Sequence, residues 1–310
     1  MMRLQLFVLK IFILAPLMLC HVVDNNNEIS VYEGVPGLEP SPYYSIRLRK
    51  EGSSDSWLDT FALVTECTKE KYCNTTNHYE NLGNWSNSYI NFEMKDGIGI
   101  VIEITKLYGE PITKAVVHPY TASKSCKVRN GKAYVIIRNT GLFTVDINGQ
   151  MDDQDTGMMA KNRKFYDGPP IHTLTIFANP FLDNKPSLED TGVYQVQPGE
   201  EVPSEGPWHT LYFLPGIHDI GLSFPLHTNK TYYIPGDAVV YGTMNNNQKF
   251  NDGAHILIYG HGTLSGDRLP HPNHADPPVP DNKHWKFDPI NVSGMWSGPI
   301  LYLSLSNLSD

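Results

Sequence analysis

Leu211-Tyr-Phe-Leu-Pro-Gly216, Tyr232-Tyr-Ile-Pro-Gly236 and Ile256-Leu-Ile-Tyr-Gly260 each run a short apolar strand into a glycine. The glycines are 20 and 24 residues apart. Between them lie Ala238-Val-Val-Tyr-Gly242 and Gly260-His-Gly-Thr-Leu-Ser-Gly266, built in the same way. Units of twenty-odd residues that each hold short strands predict the coils of a parallel β-helix. Alternate residues then point into a stacked core, and glycine permits the tight corner from one sheet to the next. The other reading of these strings is an ordinary sandwich with glycine turns.

Working upstream, the composition changes over residues 183–207. Asp183-Asn-Lys-Pro186, Gly192, Pro198-Gly199, Pro203 and Gly206-Pro207 read as a linker. Before it the pattern is alternation. Tyr44-Ser-Ile46-Arg-Leu48-Arg49 puts apolar side chains on one face and cations on the other. Ile98–Ile104, Ala115–His118, Ala133–Arg138, Leu142–Ile147 and Thr173–Phe177 are further short β-branched runs. Asp96-Gly97, Asn130-Gly131, Asn139-Thr-Gly141 and Asn148-Gly149 supply turns between them. No long amphipathic helix is evident over residues 40–180, so two packed sheets are expected. The predicted class is all-β. The expected order is a signal peptide (1–20), an N-terminal segment (21–42), a β-sandwich (43–182), the linker (183–207) and the start of a right-handed parallel β-helix (208–310).

The N-terminal twenty residues carry an address rather than a fold. Arg3 and Lys10 precede the apolar run Ile11–Leu19, and Cys20 is a small residue near its end. This is the form of a secretory signal, too short and too interrupted by Pro16 to span a bilayer. Met18 suits the position three before the cut poorly, so the cleavage site stays open. No second apolar stretch of spanning length follows, and no membrane association is expected after cleavage. Secretion agrees with five Asn-x-Ser/Thr sequons, at Asn74, Asn84, Asn229, Asn291 and Asn307. Asn229 lies beside a strand-like segment, which leaves its use open. In an oxidising compartment Cys67 and Cys73 suit a bridge around a short loop, and Cys126 is left over or takes one of the two. The 310 residues hold 24 Lys+Arg against 33 Asp+Glu, a formal charge of −9. That charge argues against nucleic acid held through a general phosphate-contacting surface.

Four strings in order carry a resemblance: Leu174–Leu182 (LTIFANPFL), Leu211–His218 (LYFLPGIH), Asn229–Gly242 (NKTYYIPGDAVVYG) and Ile258–Gly266 (IYGHGTLSG). Their order and spacing resemble the dextranase and isopullulanase family, glycoside hydrolase family 49, within the pectin-lyase-like β-helix superfamily. The upstream strands, from Tyr44 to Gly149, are similar to that family's N-terminal sandwich, so the resemblance covers about residues 40–305. It implies a sandwich followed by a right-handed parallel β-helix, and cleavage of α-glucans such as dextran or pullulan with inversion at the anomeric carbon. It also implies that the catalytic aspartates, an Asp-Asp pair among them, lie on later coils. The only Asp-Asp here is Asp152-Asp153, in the sandwich, where the family has no active site. The chain is therefore expected to be a truncated hydrolase, lacking its catalytic coils and ending on an uncapped apolar edge. The alternatives are a non-catalytic secreted carbohydrate-binding protein and a β-helix enzyme acting on pectin-like polysaccharide. Uronate polymers need Arg or Lys along the groove, and the coil segment is not rich in cations, which favours a neutral α-glucan as partner.

Inverting hydrolysis needs a protonated carboxyl as acid and a second carboxylate to activate water, about 6.5–9.5 Å apart. Asp237, Asp267 and Asp288 are the candidate acids in these coils, although turn capping is the commoner role of such residues. No residue is assigned catalysis. Asp267, Arg268, Trp285 and Trp296 are the substrate-groove candidates, the tryptophans because an aromatic face suits the apolar side of a pyranose. His271, His274, Asp276 and His284 have metal-ligand chemistry but no standard zinc spacing, within a proline-rich loop. Asp146–Asp155 resembles a calcium loop only in composition. No metal and no cofactor is expected. There is neither a phosphate-binding glycine loop nor a Gly-x-Ser-x-Gly elbow.

Overall fold

A computed structural model describes residues 21–23, 27–67, 85–119, 126–149, 171–245, 256–265, 298–299 and 303–305. The fold is all-β: its 21 regular elements are strands, and no helix occurs among the described residues. Hence no helix there is long and apolar enough to cross a membrane.

Twelve strands form two facing sheets. They are β1 (His21–Val23), β2 (Ile29–Tyr32), β3 (Tyr44–Lys50), β4 (Leu58–Thr60), β5 (Leu63–Cys67), β6 (Trp85–Met94), β7 (Ile100–Lys106), β8 (Ala115–His118), β9 (Cys126–Arg129), β10 (Lys132–Ile137), β11 (Gly141–Ile147) and β12 (Ile171–Asn179). One sheet runs β1-β2-β6-β12-β11-β8, with β5 also on β6, and the other runs β4-β3-β7-β10-β9. Pairing is antiparallel except between β6 and β12, which run parallel over nine registered residues. Alternation decides the inward set. Ile46, Ile104 and Ala133 stand opposite one another, as do Leu48, Ile102 and Val135. They meet Ile90, Phe92, Leu174 and Ile176 from the facing sheet in one buried core. Asn130-Gly131 closes the β9–β10 hairpin with both residues at positive φ, the form that matches strand twist.

The chain then changes periodicity. β13 (Val193–Val196), β14 (Thr210–Phe213), β16 (Lys230–Tyr233) and β18 (Ile256–Tyr259) stack in parallel as one sheet. β15 (Gly216–Pro225), β17 (Ala238–Asn245) and β19 (Thr263–Ser265) stack in parallel as a second. After β13, each described coil contributes one strand to each sheet, as in a parallel β-helix. Leu211, Tyr232 and Ile258 align down one sheet and Val240 and Leu264 down the other, and all face a common core. Gly260 turns the corner at φ 126°, where a Cβ would strike the Ile234 carbonyl oxygen. Only glycine fits there.

Three expectations about extent need correction. The segment expected as an N-terminal lead-in holds β1 and β2, which extend a sandwich sheet through β6. The stretch read as linker holds β13, the first strand of the parallel stack. That strand is only four residues long, set between Gly192 and Pro198-Gly199, with Tyr194 and Gln195 exposed, so turn signals dominate its reading in sequence. Finally, β20 (Gly298–Pro299) and β21 (Leu303–Leu305) pair antiparallel with β19 and β18. The backbone edges expected to be bare are thus covered there.

Candidate functional site

In a β-helix the outward side chains of stacked strands make the binding face. In these coils part of that face is covered by the sandwich, while Asp219 on the outer side of β15 stays exposed. Tyr212, Tyr233 and Tyr259 stand in register on the outer side of the first parallel sheet, with ring centres 4.8 and 5.0 Å apart. Val239 and Ile217 stand on the outer side of the second, packed with Val35, Leu63, Tyr89 and Phe177 of the sandwich region.

The strand that makes the junction is β6. Its even residues Ile90, Phe92 and Met94 enter the sandwich core, and its odd residues Tyr89, Asn91 and Glu93 meet the turn His261-Gly262-Thr263. Tyr89 Oη lies 3.2 Å from Thr263 Oγ1. Asn91 donates to the His261 carbonyl and accepts from Asn179 at 2.6 Å. Glu93 is fully buried and accepts from His261 Nδ1 at 3.0 Å and from Lys185 Nζ at 3.2 Å. Burial alone would raise its carboxyl, but the His261 and Lys185 contacts outweigh burial and hold it below the usual range. Gly236 packs under the Tyr32 ring with no room for a side chain.

Asp237 belongs to this cluster. It is 5% exposed, and burial pushes its carboxyl up to about 6, with Glu93 adding and Lys185 opposing. Two carboxyls driven apart in pKa are the chemical signature of an acid and base pair. Access is what fails: Glu93, on the sandwich strand β6, and Asp237, in the coils, are both buried. The nearby cavity, lined by Leu38, Glu39, Tyr89, Tyr241, Thr263 and Ser265, holds about 130 Å³. Ligand pockets run to about 300 Å³ and more, so this cavity by itself is too small to enclose a sugar chain. The geometry is that of a docking lock with two acids in it.

No family model and no curated protein matches the chain. Among solved structures there is a likeness. The fold is similar to that of Dex49A from Penicillium minioluteum. Identity is 17% and the TM-score 0.54, over 77% of this chain and 50% of Dex49A. At that identity the relation is one of fold. The aligned share is more than residues 1–179 alone could supply, so it takes in both the sandwich and the coils. The chain spans half the length of Dex49A.

The groove candidates Asp267, Arg268, Trp285 and Trp296, and Asp288, lie outside the described residues. So do the His271–His284 loop, Asn74, Asn84, Asn291, Asn307 and Cys73. Asn229 is exposed on a turn at φ 60°, a conformation asparagine tolerates. Cys126 is a free, half-buried thiol on β9, raised by burial. Asp146 is buried on β11. The junction residues Glu93, Asn91, Lys185 and His261 were not singled out in the sequence. The usable signal was the polar-apolar alternation of Ser88-Tyr-Ile-Asn-Phe-Glu-Met94, which carries few β-branched residues.

Proposed function

We propose that this chain is a secreted polysaccharide-active protein of the inverting α-glucan hydrolase kind, acting on a neutral, dextran-like glucan. The supporting observation is the likeness of sandwich and coils together to Dex49A, a family 49 dextranase, joined to the four ordered strings of the sequence. Secretion is supported by the N-terminal charge and apolar pattern and by an exposed sequon at Asn229. In this reading the described coils brace the helix against the sandwich, and the acid and the water-activating carboxylate lie outside the described residues. The requirement on them is the same: an acid held protonated and a carboxylate placed to leave room for one water.

A second reading, a glucan-binding protein without hydrolysis, is favoured by one observation: the only described acid of the expected set, Asp237, is closed off. One experiment separates the two. The full chain is incubated with dextran, pullulan and polygalacturonate, and product anomers are followed by proton NMR. Release of β-anomeric ends from dextran or pullulan supports the hydrolase. Retardation in a dextran gel without release supports the binder. Cleavage of polygalacturonate alone, or no response to any glucan, overturns both.

A further inference from the structure

The two sheets of the sandwich have opposite fates. One is docked on the coils; the outer face of the other, β4-β3-β7-β10-β9, faces away from the core and carries the cations. Strand register sets out its rows. One row crosses Lys127, Tyr134, Glu103, Arg47 and Asp59. A flanking row sets Arg49 beside Val101 and Ile136, and the row on the other side sets Arg129 beside Lys132. Five cations thus share a face with two carboxylates, on a chain whose formal charge is −9.

Part of that charge is used internally. Glu103 takes Arg47 and Lys132, each at 2.8 Å. Arg49, Lys127 and Arg129 form no ion pair among the described residues. The Arg49 guanidinium lies 4.4 Å from the Trp57 ring centre, and Arg47 lies 5.0 Å from it. The ring holds the guanidinium in place, which lowers the entropy cost of using it. Arg49 Nε is buried with no acceptor. Lys127 and Arg129 are exposed on the edge strand β9. From β3 to β9 is three strand spacings, about 14 Å.

A sheet face on which cations spread over this width suits an extended polymer rather than a small molecule. Arginine forks pair with planar carboxylates in bidentate fashion. The overall negative charge works against a polymer as densely charged as a nucleic acid. We propose that the outer face of this sheet, through Arg49, Lys127 and Arg129, binds a carboxylated polysaccharide. The coils are not rich in cations and this face is, so the face anchors the chain on an acidic glycan independently of what the coils act on.

The test is affinity electrophoresis of the full chain in gels containing polygalacturonate, dextran or duplex DNA. The variants are Lys127→Glu/Arg129→Glu, Arg49→Gln, and Lys95→Glu, an exposed lysine at a turn off this face. Polygalacturonate should retard the wild type in a salt-dependent way, and the double variant should weaken this about tenfold. Arg49→Gln should weaken it less, and Lys95→Glu should leave it unchanged, with dextran mobility the same in all. Equal retardation of wild type and double variant overturns the proposal, as does no retardation of the wild type. Tighter retention by DNA than by polygalacturonate at the same salt makes the face a nucleic-acid surface and overturns it too.

Discussion

Glu93 and Glu103 make a controlled comparison within one domain. Each is a buried strand glutamate that receives two basic side chains, and each is held below the usual carboxylate range. Glu103 lies on the open sheet, where Arg47 and Lys132 are 38% and 35% exposed. Glu93 lies at the junction, where Lys185 is likewise 38% exposed but His261 from the coils is only 7% exposed. One ion network decorates a surface and the other joins two regions. The lesson is that one buried partner from another region, here His261, rather than the count of charges, decides what such a network does.

The comparison can be broken most severely through the coil glycines. Gly260→Ala places a methyl on the Ile234 carbonyl at φ 126°. The expected loss exceeds about 4 kcal/mol, seen as failure to unfold cooperatively in a thermal scan. Gly52→Ala, at φ 75° on an open sandwich turn with nothing near, should cost only about 1–2 kcal/mol. Next in size is Glu93→Ala, which strands Lys185 and His261 at the junction. A loss of about 3–5 kcal/mol in urea unfolding at pH 7 is expected, and a loss below about 1 kcal/mol would contradict the bridging role. Smallest is Glu103→Gln, expected to cost about 1 kcal/mol at pH 7 because solvent screens its partners. Burial raises the Glu103 carboxyl, but hydrogen bonds from Arg47, Lys132 and Tyr134 outweigh it and bring it down to about 2. Its stabilisation is therefore present above the ordinary carboxylate pKa and fades as pH falls toward about 2. Wild type and variant should converge at that acidic end.

Much of the architecture was legible in the sequence because its strands are β-branched and alternating. Tyr44–Lys50, Ala115–His118 and Gly141–Ile147 stand where alternation puts them, and Gly260 marks a true corner. The β6 strand was not legible, for a physical reason. Both its faces are buried, but one is buried by polar contacts, and Asn91 and Glu93 read as solvent-facing until the coils are seen against them. β13 was hidden for the opposite reason: a strand at the outer edge of the stack has little to bury and reads as a turn-rich linker. The candidate site was the least legible part. Asp237 was visible as an acid in the right coil, but a sequence does not tell whether an outward residue meets solvent or another domain.

That question is settled most directly by the pH dependence of stability in the wild type and Asp237→Asn. A carboxyl raised from 3.8 to about 6 by burial favours the folded state when protonated. Its contribution is thus full below the ordinary value, declines as pH rises, and is lost above about 6. Thermal and urea unfolding of both chains between pH 4 and 8 should show Asp237→Asn gaining on the wild type by up to ~3 kcal/mol across that window, with glucan binding unchanged. Parallel stability curves, with loss of glucan binding or hydrolysis in the variant, would show that Asp237 faces substrate and that the sandwich does not close these coils.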